Sequence, residues 1–181
     1  MAYFSVFLII YIGDCMKGLK SYMIAGIIFV SILGTLFHFV YNWSGNNVFV
    51  GLFTPINESV WEHTKLLFFP MLIYSFYLNK KIGKDCPCLN SAMISGALSG
   101  VSLIIAMFYT YTGIIGFHTA FADISIFYIC VILAFCIVYK LAVFCTVDKY
   151  DKLLKLLQIL MICLYIIFTL FPPDIPLFVS G

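Results

Sequence analysis

Residues 54–70 have the sequence TPINESVWEHTKLLFFP, and the chemical character of the chain changes within them. The stretch begins as a polar turn, continues as a predicted helix and then runs into a hydrophobic segment. Ionisable side chains are costly in a bilayer, and those that occur usually face a bundle interior or a water-filled cavity. The stretch therefore predicts either a reactive site or a polar helix end at a membrane surface.

The composition of the whole chain predicts that most of the protein is surrounded by lipid. The 181 residues are 64% hydrophobic and 10% charged, with a mean hydropathy of +1.10. A soluble domain has about 25% charged residues. The basic residues are all lysines and form no clustered basic face, which argues against a nucleic-acid partner. We expect a multi-pass protein of a bacterial plasma membrane, with the lipid bilayer as its main partner.

Five hydrophobic segments have the length of a membrane-spanning helix, which needs about 20 residues. A shorter apolar segment, residues 1–13, precedes them. The connections are too short to hold another folded domain, so we expect residues 1–181 to form one all-α domain, a polytopic transmembrane helix bundle. The five predicted spans cover residues 21–41, 60–78, 91–111, 121–141 and 153–171.

Lysine placement predicts the orientation of this bundle. Nine of the ten lysines lie at alternate connections, and the positive-inside rule makes that side cytoplasmic. The amino-terminal side of span one is then cytoplasmic and the carboxyl terminus lies outside. All three histidines and four carboxylates fall on the outer side, where we expect a polar cavity: His38, His63, His118, Glu58, Glu62, Asp123 and Asp174.

Seven cysteines are present, and Cys86-Pro87-Cys88 is the only closely spaced pair. Its one-residue spacing does not match the CxxC pattern of redox or zinc motifs. The surrounding lysine-rich loop is predicted to be cytoplasmic and hence reducing. We therefore expect no functional cysteine pair here.

Two interpretations of residues 57–65 remain open. On a helix advancing 100° per residue, Glu58, Ser59, Glu62 and His63 lie within an arc of about 140° and could face one cavity. In the alternative, the stretch is an ordinary helix start. Asn57 then caps the helix, Glu58 complements its dipole, and Glu62 pairs with Lys65 at i+3. The alternative leaves His63 unexplained.

Two further regions add candidate ligands. His38 lies on a polar or small-residue face of span one, level with His63 if the two helices are antiparallel neighbours. A helix-packing seam with a hydrogen-bonded histidine is the alternative. His118 lies before span four, and Asp123 at its start is either a helix N-terminal acid or a metal-site carboxylate.

Three imidazoles with nearby carboxylates suit zinc, and catalytic zinc sites keep an open position for water. We therefore predict a Zn²⁺ site with His38, His63 and His118 as ligands. Zinc lowers the pKa of bound water to about 7. Glu62 or Asp123 would act as general base and Ser59 would orient water or substrate. The best-supported activity is metal-dependent hydrolysis of a lipid-like amide or ester.

Two other function classes remain open. A small proton-coupled transporter would use Glu58, Glu62 and His63 as a proton relay, although such groups usually lie near the bilayer midplane. In a non-catalytic membrane partner protein, the outer face would instead close as a packed surface without water.

The chain resembles a family of uncharacterised, multi-pass bacterial membrane proteins, found mainly in clostridia-like organisms. The resemblance covers nearly all of the chain after residue 21 and implies no assigned activity. It rests on His38, Trp43-Ser44-Gly45, Val50-Gly51-Leu52-Phe53, Pro55, Asn57-Glu58-Ser59-x-Trp61-Glu62-His63, Leu67-Phe68-Phe69-Pro70, Tyr109-Thr110-Tyr111-Thr112-Gly113 and Pro172-Pro173.

A second, narrower resemblance is to ceramidase and progestin-receptor type membrane hydrolases. Ser59-x3-His63 is similar to their Ser-x3-His element, which contributes to a zinc site. Their His-x3-His pair near the carboxyl end has no counterpart in this sequence, and seven helices are not reached. This resemblance implies zinc-dependent hydrolysis.

Overall fold

The computed structural model describes residues 2–179, with side chains described from residue 18 onward. The predicted all-α class is confirmed. Residues 2–13 of the predicted apolar segment fall within the first helix, and the side chains of this segment lie outside the described residues. The helices are α1 (Ala2–Trp43), α2 (Val48–Gly51), α3 (Val60–Ile82), α4 (Leu89–Ile115), α5 (Ala120–Phe144) and α6 (Asp151–Leu170), with a 3₁₀ turn at Asp148–Tyr150.

Within the described residues, four helical segments are long and apolar enough to cross a membrane. They correspond to predicted spans one, three, four and five. Helix α3 contains predicted span two, but Glu62, His63 and Lys65 lower its hydropathy, so five spans are not confirmed. The four segments are Gly18–Trp43, Leu89–Ile115, Ala120–Phe144 and Asp148–Leu170.

Helix α3 lies at the centre of the bundle, where it packs against α1, α4 and α6. Most of its side chains are buried, whereas Tyr165 and Thr169 are the only buried side chains of α6. The apolar outer surfaces of the peripheral helices therefore shield α3. This shielding explains how a helix with buried charged groups is accommodated in an otherwise hydrophobic protein, because ionisable groups in membranes face the bundle interior.

Gly34 marks the place where α1 meets both α3 and α5. A Cβ atom at Gly34 would lie 2.4 Å from the carbonyl oxygen of Leu66 and 2.7 Å from the ring of Phe127. A small residue is needed here because one of the two neighbours is backbone, which cannot rotate away. Gly34 belongs to the polar or small-residue face of span one, and at this position that face packs against other helices.

Antiparallel packing gives the bundle two chemically different ends. The histidine end holds the end of α1, the start of α3 and the α4–α5 connection. The lysine-rich end holds the α3–α4 and α5–α6 connections, residues 79–90 and 144–152. At the lysine-rich end Ser91 donates a hydrogen bond to Asp151 at 3.0 Å, and Asp151 pairs with Lys155 at 2.7 Å.

A disulfide joins Cys88 at the start of α4 to Cys145 at the end of α5. Cys86 is also disulfide-bonded. The expectation from the sequence was that Cys86 and Cys88 form no functional pair, and it did not anticipate this disulfide. It considered only neighbours in sequence, whereas the antiparallel helices bring Cys145, 57 residues later, to a Cα–Cα distance of 5.4 Å.

Gly34→Ala tests the close approach of α1 to α3, with Gly113→Ala as the matched control in α4. A Cβ atom at Gly113 meets nothing within 4 Å. Overpacking at Gly34 should cost about 1–3 kcal/mol. The control should be neutral or more stable, because alanine favours a helix over glycine by about 1 kcal/mol. Thermal unfolding in detergent measures both, and equal midpoints for the two variants would contradict the packing described here.

Candidate metal centre

Helix α3 begins at Val60, two residues after the helix start that a cap at Asn57 would give. Its N-cap is Ser59, whose extended backbone (φ −71°, ψ 152°) precedes the first helical residue and whose hydroxyl accepts a hydrogen bond from the Glu62 N–H at 3.4 Å. Asn57 instead accepts from the Ser59 N–H at 2.9 Å, within the preceding loop. The predicted cap at Asn57 is wrong, and the predicted helical arc does not apply to Glu58 and Ser59.

The predicted pairing of Glu62 with Lys65 is confirmed, and both side chains are almost completely buried. Lys65 is 0% exposed and Glu62 is 2% exposed. The Lys65 ammonium donates to Glu62 Oε2 at 2.7 Å, to the Gly51 carbonyl at 2.9 Å and to Thr169 Oγ1 at 2.6 Å. An ammonium group has three protons, so every donor is used.

Both oxygen atoms of the Glu62 carboxylate also have hydrogen-bond partners. Its Oε2 also accepts from the Ile56 N–H at 3.0 Å, and its Oε1 lies 3.2 Å from Thr169 Oγ1. These bonds connect the loop before α3, α3 itself and α6. The geometry therefore gives Glu62 a structural part, in contrast to the general base expected from the sequence.

His38, Glu58 and His63 come together at the histidine end. The Nε2 atom of His63 lies 3.2 Å from Glu58 Oε2, and Nε2 of His38 lies 4.0 Å from Glu58 Oε1. The three side chains offer one ligand atom each within 4.8 Å of one another. Two imidazoles and a carboxylate are a donor set that zinc uses in catalytic sites.

Hydrogen bonding fixes the ring of His63 in the orientation that a ligand needs. Its Nδ1 lies 2.9 Å from the Ser59 carbonyl oxygen, which can only accept. Nδ1 is therefore the donor in this contact, and Nε2 faces Glu58 at 3.2 Å. Ligating histidines are commonly oriented by such a second hydrogen bond. Ser59 thus acts through its backbone on His63, while its hydroxyl caps α3.

The cluster is open to its surroundings. The side chains of His38 and His63 are 33% and 31% exposed, and that of Glu58 is 69% exposed. The two imidazole rings lie 5.3 Å apart between centroids. His38 is about one helical turn beyond Gly34, so the close approach of α1 to α3 at Gly34 also brings the two rings together. A bound ion would keep positions free for water or substrate.

His118 and Asp123 form a separate group. Nδ1 of His118 lies 3.2 Å from Asp123 Oδ2, and the Tyr111 hydroxyl donates to Asp123 Oδ1. Thr119 caps α5 by accepting from the Ala122 N–H at 3.3 Å. His118 is therefore not brought into the group of His38 and His63 in the described part of the chain.

Glu58 is the member of the cluster that the sequence analysis did not count among the metal ligands, although it placed Glu58 at the outer polar cavity. The pattern Ser59-x-x-Glu62 is typical of a capping box and places the cap at Ser59. With the cap there, Glu58 falls in the loop, where its side chain is free to reach across to the imidazoles. This signal was present in the sequence.

Comparison with known proteins identifies one family. The model described as "Family of unknown function (DUF6512)" matches residues 12–181. No curated protein and no solved structure matches the chain. The match agrees with the predicted resemblance to a family without assigned activity. The resemblances to clostridial proteins and to ceramidase-type hydrolases stay predictions.

Lys65→Met tests the buried ion pair, with Lys155→Met as the control, because Lys155 pairs with Asp151 at the surface. Removing Lys65 leaves the Glu62 carboxylate buried without its cation, which should cost about 3–5 kcal/mol. The control should change stability little. The double variant Glu62→Gln/Lys65→Met should regain part of the loss. Thermal unfolding in detergent measures each, and similar losses for Lys65→Met and the control would contradict the pair's importance.

Proposed function

We propose that this chain, which belongs to the family of unknown function DUF6512, is an integral membrane metalloprotein. His38, Glu58 and His63 bind a divalent transition ion, with Zn²⁺ the favoured one because imidazole and carboxylate are among its usual ligands. The observation that carries this proposal is the convergence of three ligand atoms within 4.8 Å from α1, α3 and the loop between them.

The arrangement supports metal-assisted hydrolysis. Three protein ligands leave a fourth position for water, as in catalytic zinc sites, and the ion supplies a hydroxide near neutral pH. His63 is held for this role by the Ser59 carbonyl. Glu58 joins the two histidines across the gap between the helices, so all three ligands are needed to hold the ion.

Asp123 is the proposed proton acceptor. The ring of Phe127 packs at Gly34, and Thr35 lies 3.0 Å from Tyr128 between their hydroxyl oxygens, so α1 and α5 are neighbours here. Asp123 is one turn beyond Phe127, as His38 is one turn beyond Gly34. Asp123 therefore lies on the same rim as the metal cluster, and His118 and Tyr111 position its carboxylate.

The surroundings favour a lipid-like amide or ester as substrate. Trp43, Phe49 and Phe53 are exposed at the end of α1 and in the connection that follows it, at the histidine end. Exposed aromatic side chains are typical of the membrane–water interface, which is where the head group and linkage of a lipid lie. The cluster is thus at the depth of such a linkage.

Orientation follows from the lysines. The lysine-rich end is proposed to face the cytoplasm of a bacterial cell, and the histidine end the outside. Helix α3 begins at the histidine end with His63 and ends at the lysine-rich end with Lys80 and Lys81, so it is proposed to be the fifth crossing, shielded by the other helices. A transporter is less well supported because Glu62, the buried carboxylate, is held by Lys65.

Metal analysis tests the proposal directly. The purified protein, supplied with Zn²⁺, should carry about one ion per chain. His63→Ala and Glu58→Gln should each lower the stoichiometry or weaken binding at least tenfold, because they remove a ligand. His118→Ala is the matched control and should keep its metal. Absence of stoichiometric metal in the wild type, or full metal content in His63→Ala, would refute the site.

Asp123→Asn separates the proton acceptor from the ligands. Metal content should be unchanged, while hydrolysis of an acyl ester or amide lipid in mixed micelles should fall by about 10²–10⁴-fold, the usual contribution of general base catalysis. His38→Ala should lose both metal and hydrolysis. Unchanged turnover in Asp123→Asn would remove Asp123 from the mechanism without affecting the metal site.

A further inference from the structure

The lysine-rich end carries a disulfide whose two cysteine residues differ in exposure. Cys88 is 4% exposed, whereas Cys145 is exposed. The Cα–Cα distance of 5.4 Å is within the usual range for disulfides. The Cys145 side of the bond is therefore the more exposed side for an incoming thiolate.

The charge of this end makes a stable, purely structural disulfide unexpected. Most of the lysines of the chain lie here, which is the pattern of a cytoplasmic surface. Disulfides in the reducing cytoplasm are usually transient and either catalytic or redox-sensing. The lysine pattern and the disulfide are compatible if the bond opens and closes.

We propose that Cys88–Cys145 is a thiol–disulfide exchange site that reacts with protein dithiols at the lysine-rich face. The inference rests on the proposed orientation and is independent of the metal centre. The ligand class is a vicinal dithiol carried by a partner protein, because its second thiol completes the reduction.

Two successive thiol–disulfide exchanges reduce the Cys88–Cys145 bond. A partner thiolate attacks Sγ of Cys145, a mixed disulfide forms, and Cys88 leaves as a thiolate. The second partner thiol, as thiolate, then attacks the partner sulfur of the mixed disulfide and releases Cys145 as a thiolate, and the two protein thiolates take up protons. The partner dithiol is oxidised to a disulfide by two electrons. A low-molecular-weight disulfide reverses the reaction.

Cys88 is placed to be the leaving group. It is the N-cap residue of α4, and its side chain makes no capping hydrogen bond. The first turn of a helix has unpaired N–H groups, and a thiolate at a helix N-terminus is stabilised by them. Lys84 and Lys140 lie within five residues of Cys88 and Cys145 in sequence, which adds positive charge. The carboxylate of Asp151 at this end is bound by Lys155 and Ser91.

Opening the bond would release the start of α4 from the end of α5. The two helices pack along their length, so the bundle keeps its packing while its lysine-rich end loses a covalent link. The exchange site is thereby a local switch at the end opposite the metal cluster.

Membrane vesicles of known sidedness test the proposal on the wild-type protein. A reduced thioredoxin-type dithiol protein, too large to cross the bilayer, is added to inside-out and right-side-out vesicles. Differential alkylation and mass spectrometry of the peptides that contain residues 88 and 145 report the state of the bond. Reduction in inside-out vesicles only is the expected result.

Two other results would overturn the inference. A bond that stays oxidised in both preparations is structural. A bond reduced only in right-side-out vesicles places the lysine-rich end outside. Metal content is measured on the same preparations, so failure of the exchange site is distinguished from failure of the metal centre.

A matched pair of variants locates the attack. In Cys88→Ser the exposed Cys145 thiol is free, and it should react with a low-molecular-weight disulfide at least tenfold faster than the buried Cys88 thiol in Cys145→Ser. Equal rates would contradict attack at Cys145. The two variants lose the same bond, so a general loss of stability affects both alike.

Discussion

A lysine ammonium without access to water needs three acceptors inside the protein, and the position of Lys65 depends on finding them. It finds one at the end of α2 at Gly51, one on its own helix at Glu62 and one on α6 at Thr169. A buried ion pair adds little stability by itself, because desolvation offsets most of the attraction, but breaking it by losing one partner is costly. Its effect here is to specify one arrangement of loop, α3 and α6.

The proposed metal cluster of His38, Glu58 and His63 depends on that arrangement. Glu58 lies between Ile56, whose N–H is bound by Glu62, and Ser59, which caps α3. The exposed Glu58 side chain therefore extends from a backbone that is fixed on both sides. The second ligand, His63, is fixed by Ser59. A buried, fully satisfied ion pair thus supports an exposed cluster whose ligand positions stay open, and the two parts are complementary.

The helices, the paired Glu62 and Lys65 and the proximity of His38 to His63 were predictable, because each follows from hydrophobic length or from spacings of three to four residues on a helix. The capping-box pattern Ser59-x-x-Glu62 could have shown that Glu58 lies in the loop beside the histidines, but a cap at Asn57 places Glu58 in the helix instead. The separation of His118 from His38 depends on how α4 and α5 pack, and the disulfide on contact between residues far apart in sequence. Neither leaves a local pattern in the sequence.

Glu62 and Glu58 lie in different environments, and this difference separates a structural acid from a candidate ligand. Both acids are near the start of α3, but Glu62 is buried and bound by a lysine and two other donors, and no ligand can reach it without breaking those bonds. Glu58 is exposed and faces the Nε2 atoms of His38 and His63 at 4.0 Å and 3.2 Å. A divalent ion would contact all three ligand atoms at once, because they lie within 4.8 Å of one another. This geometry is the reason for proposing a cation at the cluster rather than a simple histidine–carboxylate pair.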